Sequence, residues 1–588
     1  MRGTISRGVL VLGLLAPAAV PALDLVKDGR ALVSVVAATD DEATVFAAEE
    51  IARYCQEISG AKVPVLVKRK VGGKSVVVGA PYPGAGKEAF KIAVKGTGVT
   101  IAAGGPRGAL YGAYELLEKL GCGFWSPENE FVPKKRTLSV ESSWKVDAKP
   151  AFDWRQCGTA FSYDIKYRPK LRINGSMWSY PTPANLGGNE EMVMGQSLAG
   201  INCRESLDRL KAEHPDWFAW REAEGAHVPP QMCPLKAEVI GEIVRAIRER
   251  WGKNPDHPVY EDIGYCDDGD ICECADCRKF AEKHGTSGII VECANRVARA
   301  LAKDFPNIRL AVMAYCSTET PPKGLKLEPA VTIVWASLRN FAVPTKEIPG
   351  HDEKLKRWIE LANGRVAVWD YNTQFRGFML PAPIIDMMGP FFRGYRKMGV
   401  WGVFVQAAGF AAPIEDFAEL RGWLFGKLAW NPDQDEWALI DRWCDGACGK
   451  AAPFVREWLR IGKKARERKR NYGPYDPDSR NTFTLKELVK GYDLMQKALA
   501  ATEGDARTHK QVRRLSASPM AAVLCCYDFG IVNAAKSLSV NIPSRDELLK
   551  AFEAICREHE VGVFGEGRSL DQFLEVMRTG NLLSDQNS

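Results

Sequence analysis

Apolar positions along this chain follow two rhythms, and the switches between them mark out its parts. Between residues 23 and 145, short apolar runs at 31–36, 75–79 and 99–103 alternate with stretches of 3.6-residue periodicity at 42–59 and 108–120. That alternation predicts a small α/β domain. The sequence Gly104-Gly105-Pro106-Arg107-Gly108 precedes its second helix. It reads as a tight strand-to-helix turn, with anion binding at the helix N-terminus as the alternative. A charged linker ending in Pro150 follows.

From residue 151 to 432 the apolar runs are separated by longer helical stretches such as 236–251 and 287–305, the pattern of βα units on a parallel sheet. Eight candidate strands lie at 152–157, 196–200, 231–233, 259–266, 308–315, 331–335, 366–371 and 400–406. Eight units in this length predict a (β/α)8 TIM barrel, so the whole chain is classed α/β. Chemistry in such a barrel sits at the C-terminal strand ends. Here those ends carry Arg155, Asp267, Asp268, Tyr315, Trp335, Trp369, Asp370, Tyr371 and Gln406. Aromatic rings beside carboxylates and an arginine suit a sugar, whose ring has apolar faces to stack and hydroxyls to hydrogen-bond. Residues 433–588 turn almost wholly to helical periodicity, at 436–444, 452–470, 484–502, 509–537 and 545–559, and predict an all-α region that closes one side of the barrel or mediates dimers.

Composition narrows the class. A chain of 588 residues is too long for one core, and 46% hydrophobic residues is ordinary for a globular protein. A net charge of +6, without a dense basic run beyond residues 463–470, is too weak to argue for a nucleic-acid binder, and none is expected as a partner. Arg2 and Arg7, the apolar stretch 8–20 and the small residues up to Ala22 match a signal peptide at 1–22, so the protein is expected to be exported, periplasmic or extracellular, with no membrane span in the mature chain. Most of the sixteen cysteines are expected to be buried thiols.

The densest chemistry lies at 259–277, VYEDIGYCDDGDICECADC. A strand-like run ends in the adjacent carboxylates Asp267 and Asp268. Like charges side by side raise one pKa, so one carboxyl can serve as general acid while its neighbour stays ionised. The alternative is a polar turn or a cation-binding loop. Asp370 is the second candidate carboxylate, for holding sugar hydroxyls or acting as a base. Cys272, Cys274 and Cys277 follow the acids at once. With Cys233 or Cys266 they would complete a structural four-sulfur zinc site, and a disulfide with spare thiols is the rival. No cofactor for the catalysis itself is expected.

Several segments also resemble known families. EEIARYCQEISGAKV (49–63) and GGPRGALYGAYELLEKLGCGFWSP (104–127) resemble the N-terminal domain shared by bacterial β-hexosaminidases and α-glucuronidases. HPDWFAW (214–220), QMCP (231–234), DGDICECADC (268–277) and VWDYN (368–372) resemble the domain of unknown function 4838 family, which is similar to glycoside hydrolase family 163, endo-β-N-acetylglucosaminidases of N-glycans. The resemblance spans residues 23–435 and implies a secreted glycosidase acting on a glycan or glycoprotein. Family 20 hexosaminidases place an Asp-Glu pair at the fourth strand end, where this chain has Asp267 and Asp268. By that resemblance Asp267 orients a substrate acetamido group, Asp268 protonates the leaving oxygen, and Arg155 contacts the sugar. The implied reaction is substrate-assisted and retaining. The alternatives are an inverting, α-glucuronidase-like hydrolase, with Arg155 on the uronate, and a carbohydrate-binding protein without catalysis.

Overall fold

The computed structural model describes residues 21–69, 73–96, 98–176, 181–192, 197–201, 204–252, 260–267, 271–475 and 482–579. The segments read as a signal peptide therefore lie almost wholly outside the described residues, as does Asp268. Two compact units emerge: residues 1–121 with 132–148, and residues 122–131 with 149–588.

In the first unit a six-stranded mixed sheet runs in the order Lys145–Ala148, Phe90–Lys95, Gly98–Ala103, Ser75–Pro81, Ser34–Ala37, Val65–Val67. Helices Glu42–Ser59 and Pro106–Lys119 pack together on it, as the periodicity predicts. The glycine turn has a packing reason. A Cβ on Gly104 would sit 2.2 Å from the Gly86 carbonyl oxygen, and one on Gly108 2.5 Å from that of Ala89. Arg107 is spent on the buried carboxylate of Glu88 at 2.9 Å.

The second unit is built on six parallel strands: β1 (Trp154–Cys157), β2 (Tyr260–Asp262), β3 (Arg309–Ala314), β4 (Val331–Ala336), β5 (Val366–Tyr371) and β6 (Gly402–Gln406). Their order is β1-β6-β5-β4-β3-β2, every pair parallel, so the first strand lies against the last as in a barrel. Among the described residues the sheet is a curl of six strands, and the closed eight-stranded barrel expected from the sequence is not seen in them. The apolar run at 231–233 belongs to an antiparallel hairpin, Phe218–Arg221 with Ala226–Met232. Pro229 and Pro230 in it have no N–H to give to an interior ladder. The run expected at 196–200 is a turn over its described part, touching the sheet where the Ala199 N–H donates to the Asp262 carbonyl at 2.6 Å. Among the described residues, the strands between β1 and that point are a two-residue parallel pair, Gly175–Ser176 with Glu190–Glu191.

Residues 122–131 form a hairpin that belongs to this unit. Trp125 packs on Trp423, with ring centroids 5.6 Å apart, and Asn129 donates to the Ala447 carbonyl and to Gln511. The helical region holds Glu436–Cys448, Ala452–Lys469, Leu485–Ala501, Ala506–Cys525, Ile531–Ser537 and Arg545–Glu558. It closes with a small hairpin, Val563–Gly565 with Arg568–Ser569, that the helical pattern gave no sign of, and a last helix, Leu570–Thr579. No helix among the described residues is long and apolar enough to cross a membrane.

Candidate active site

Strand side chains alternate between two faces, so a shift of one position decides whether a residue at a strand end reaches the interior of the curl or the surrounding helices. Trp154, Ala311, Val334, Ala367 and Phe404 form one buried cluster with Met192 and mark the inner face. Counting in twos from these places Gln156, Met313, Tyr315, Ala336, Trp369, Tyr371 and Gln406 on that face. Arg155, Trp335 and Asp370 are one position off and point outward.

Three of the residues expected at the sugar are therefore elsewhere. Asp370 accepts two hydrogen bonds from Arg339, at 2.9 and 3.0 Å, and a third from the Tyr395 hydroxyl at 2.8 Å; both charged side chains are buried. With its oxygens so engaged, Asp370 is an anchor between β5 and helix Met388–Met398 and not a free base. Trp335 is fully buried, edge-on to His351 at 4.6 Å. Arg155 donates to the Arg172 and Phe152 carbonyls and lies 5.5 Å from the Trp430 ring.

The inner face gathers the rest. Trp369 is half-buried and packs edge-on against Phe404, its indole N–H donating to the Gln406 side-chain oxygen at 2.8 Å. Tyr371 stands edge-on to Phe341 and Phe375, and Phe375 in turn stacks on Tyr475 at 4.9 Å. Asp267, exposed just beyond β2, acts electrostatically on Tyr315, Cys316, Tyr371 and Tyr475 together. All three tyrosines are pushed well above the ordinary phenol value. Burial is the largest cause for each. The hydrogen bond with Cys316 adds for Tyr315, the Tyr315 and Tyr475 hydroxyls for Tyr371, and Glu566 for Tyr475. Each therefore keeps its proton and is a donor. Cys316 takes a left-handed backbone with φ +49°, a strained turn directly at the end of β3.

Tyr475, Cys316, Phe410 and Glu566 were not among the residues read from sequence. Tyr475 follows Gly473 and Pro474 in a non-helical stretch of the kind that carries function. Phe410 is exposed and stacks on Tyr163 at 5.3 Å, beside the end of β1. Glu566 arrives on the C-terminal hairpin, where its backbone N–H donates to the Phe375 carbonyl at 2.6 Å. Nothing local in its sequence marks it.

The cysteine expectation resolves in favour of one fourth partner. The sulfurs of Cys233, Cys272, Cys274 and Cys277 all lie within 4.8 Å of one another. Cys266 stands apart, its N–H donating to the Gln231 side chain at 3.2 Å.

A family model described as "Domain of unknown function (DUF4838)" matches residues 124–460, and the chain belongs to this family. Among solved structures the chain is similar to a family GH115 4-O-methyl-α-glucuronidase with specificity for decorated arabinogalactans: TM-score 0.58, 14% identity, over 94% of this chain and 80% of that one. It is also similar to an inactive mutant of the GH20 exo-β-N-acetylglucosaminidase from Vibrio harveyi, with TM-score 0.45, 11% identity, 78% of this chain and 76% of the other. A third is the GH20 β-N-acetylhexosaminidase from Streptomyces coelicolor, with TM-score 0.43, 14% identity, 74% of this chain and 93% of the other. The first overlay identifies the fold as one used by glycoside hydrolases. Nothing further rests on the two weaker ones. No curated protein sequence matches the chain.

Proposed function

We propose that this protein is an exported glycoside hydrolase whose active site is the inner face at the C-terminal ends of β2 to β6. Asp267 is its exposed carboxylate, and Tyr315, Trp369, Tyr371, Tyr475 and Gln406 form the sugar-binding surface. One observation carries this reading: a solvent-facing carboxylate whose field reaches three proton-bearing tyrosines at the open end of a parallel sheet, where such folds keep their chemistry. Fold likeness supports it without identifying the sugar.

For the substrate we favour a glycan containing N-acetylglucosamine. The acetamido oxygen of the sugar attacks its own anomeric carbon, the glycosidic bond breaks, and the leaving oxygen takes a proton from Asp268. Asp267 accepts the acetamido N–H and stabilises the oxazolinium. Water, giving its proton back to Asp268, then opens the ring with net retention. The tyrosine hydroxyls donate to the sugar oxygens. An inverting α-glucuronidase is the second reading, favoured by the GH115 overlay across 94% of the chain. The outward turn of Arg155 removes the uronate partner expected for it.

The test is hydrolysis of aryl glycosides and of a complex N-glycoprotein by the wild type, Asp267→Asn and Asp268→Asn. Release of an N-acetylglucosamine-ended product, falling about 10²–10⁴-fold in both variants, is the expected result. Release of a uronic acid moves the assignment to the second reading. Binding without turnover by folded wild type overturns both and leaves a carbohydrate-binding protein.

A further inference from the structure

The four-cysteine cluster lies outside the sugar-binding surface and holds whatever that surface does. We infer that Cys233, Cys272, Cys274 and Cys277 bind one zinc ion in a closed, structural tetrahedron. The spacing of the sulfurs carries the inference. Four thiolates each about 2.3 Å from a central zinc stand roughly 3.8 Å apart along the edges of the tetrahedron. The Cys233 sulfur lies 3.8 Å from that of Cys274 and 3.7 Å from that of Cys277. A disulfide needs about 2.0 Å, little more than half of that. Two bridges would draw the sulfurs into pairs, whereas here all four keep within a single sphere.

The surroundings fit a structural ion. Ala219 and Ile289 share one buried apolar cluster with Cys233, Cys272 and Cys277, and Trp220, Leu235, Phe280, Ala281 and the half-buried Cys274 pack against it. The donor set is all sulfur, the chemistry of closed zinc sites. On binding, four thiols release four protons to solvent, and the Zn(SR)4 group carries a net charge of −2. The fold supplies partners for that charge. The Trp220 N–H points at the Cys272 sulfur from 3.4 Å. Cys274 caps the N-terminus of helix Ala275–His284 and Cys277 sits in its first turn, at the positive end of the helix dipole.

The ion would join three pieces distant in sequence: the end of the 218–232 hairpin through Cys233, the segment after Asp267 through Cys272, and a helix N-terminus. Two hydrogen bonds already lace these together: the Glu273 N–H donates to the Trp220 carbonyl at 2.9 Å, and the Arg221 guanidinium donates to the Ile271 carbonyl at 3.1 Å. Zinc thereby anchors the chain five residues beyond Asp267. In an oxidising compartment it also keeps four adjacent thiols from pairing.

The experiment is metal analysis of the purified full chain from zinc-supplemented medium, combined with intact-mass counting of alkylated thiols. About one zinc per chain is expected, absent from Cys272→Ser and Cys277→Ser and retained in Cys293→Ser, which alters a buried thiol outside the cluster. Cobalt exchanged for zinc should give the sulfur-to-metal charge-transfer and intense visible bands of a tetrahedral thiolate site. Should the serine variants fail to fold, mercurial titration of the wild type decides: one zinc released as four thiols react supports the site. Metal-free protein with these four cysteines either free or in disulfides overturns it.

Discussion

The inner and outer faces of the same strand ends are built from similar residues and do opposite jobs. On the outer face Asp370 is saturated by Arg339 and Tyr395, Trp335 is sealed against His351, and Arg155 is spent on backbone carbonyls. On the inner face Trp369 and Gln406 stay half-exposed, and Asp267 faces solvent. An aspartate at a strand end is thus an anchor or a reagent according to the parity of its position. The difference lies in whether the fold has already supplied its partners.

The strongest way to break this comparison is to remove charge from each class of aspartate. Asp370→Asn leaves the Arg339 guanidinium buried without its counter-charge, and unfolding free energy should fall by about 3–5 kcal/mol in urea titrations. Asp267→Asn removes an exposed charge and should leave the urea midpoint nearly unchanged while turnover collapses. If Asp370→Asn keeps wild-type stability but loses activity, the assignment of the two faces is reversed.

A carboxyl of a third kind lies between these cases. Glu415 is buried, accepts from the Thr373 hydroxyl at 2.7 Å and from the Ala408 N–H at 3.1 Å, and is pushed up to about 7, chiefly by burial. Its folded pKa exceeds its unfolded value, so between about pH 4.5 and 7 the native state holds a proton that the unfolded chain has released. Its contribution is full below that window and is lost as pH rises through it, by at most about 3 kcal/mol. Glu415→Gln should flatten that part of the stability profile in urea titrations from pH 4 to 8. A slope unchanged in the variant would mean that another group carries it.

Much of this architecture is legible in the sequence, and the failures share a cause. Helix Glu42–Ser59 and strand β5 fall at their expected bounds because periodicity and apolar runs are local signals. The C-x-C-x-x-C loop identifies three of the clustered sulfurs, since that spacing is local too. Strand-end composition pointed to the C-terminal end of the sheet, where the proposed site lies, yet it could not separate Trp335 from Trp369, because facing is set by the register against neighbouring strands. The hairpin at 218–232 hid behind an expected barrel strand, as the short Gln231–Cys233 run reads as a strand whichever way it pairs. Tyr475 and Glu566 come from the region read as helical and supporting, and only tertiary folding brings them to Phe375. Asp268, singled out by its neighbour, lies outside the described residues.

The finest test of the two faces is a single oxygen. Tyr371 is 6% exposed on the inner face, and its ring already has edge contacts with Phe341 and Phe375 that a phenylalanine would keep. Its hydroxyl retains its proton far above neutral pH, held there first by burial and then by the Tyr315, Tyr475 and Asp267 groups around it. A neutral hydrogen bond from it to a bound sugar is worth about 0.5–1.5 kcal/mol. Tyr371→Phe should therefore lower kcat/KM roughly two- to twelve-fold, with the thermal midpoint almost unmoved. Should the midpoint drop by several degrees while kcat/KM holds, the hydroxyl serves the fold, and Tyr371 belongs with Asp370 among the anchors.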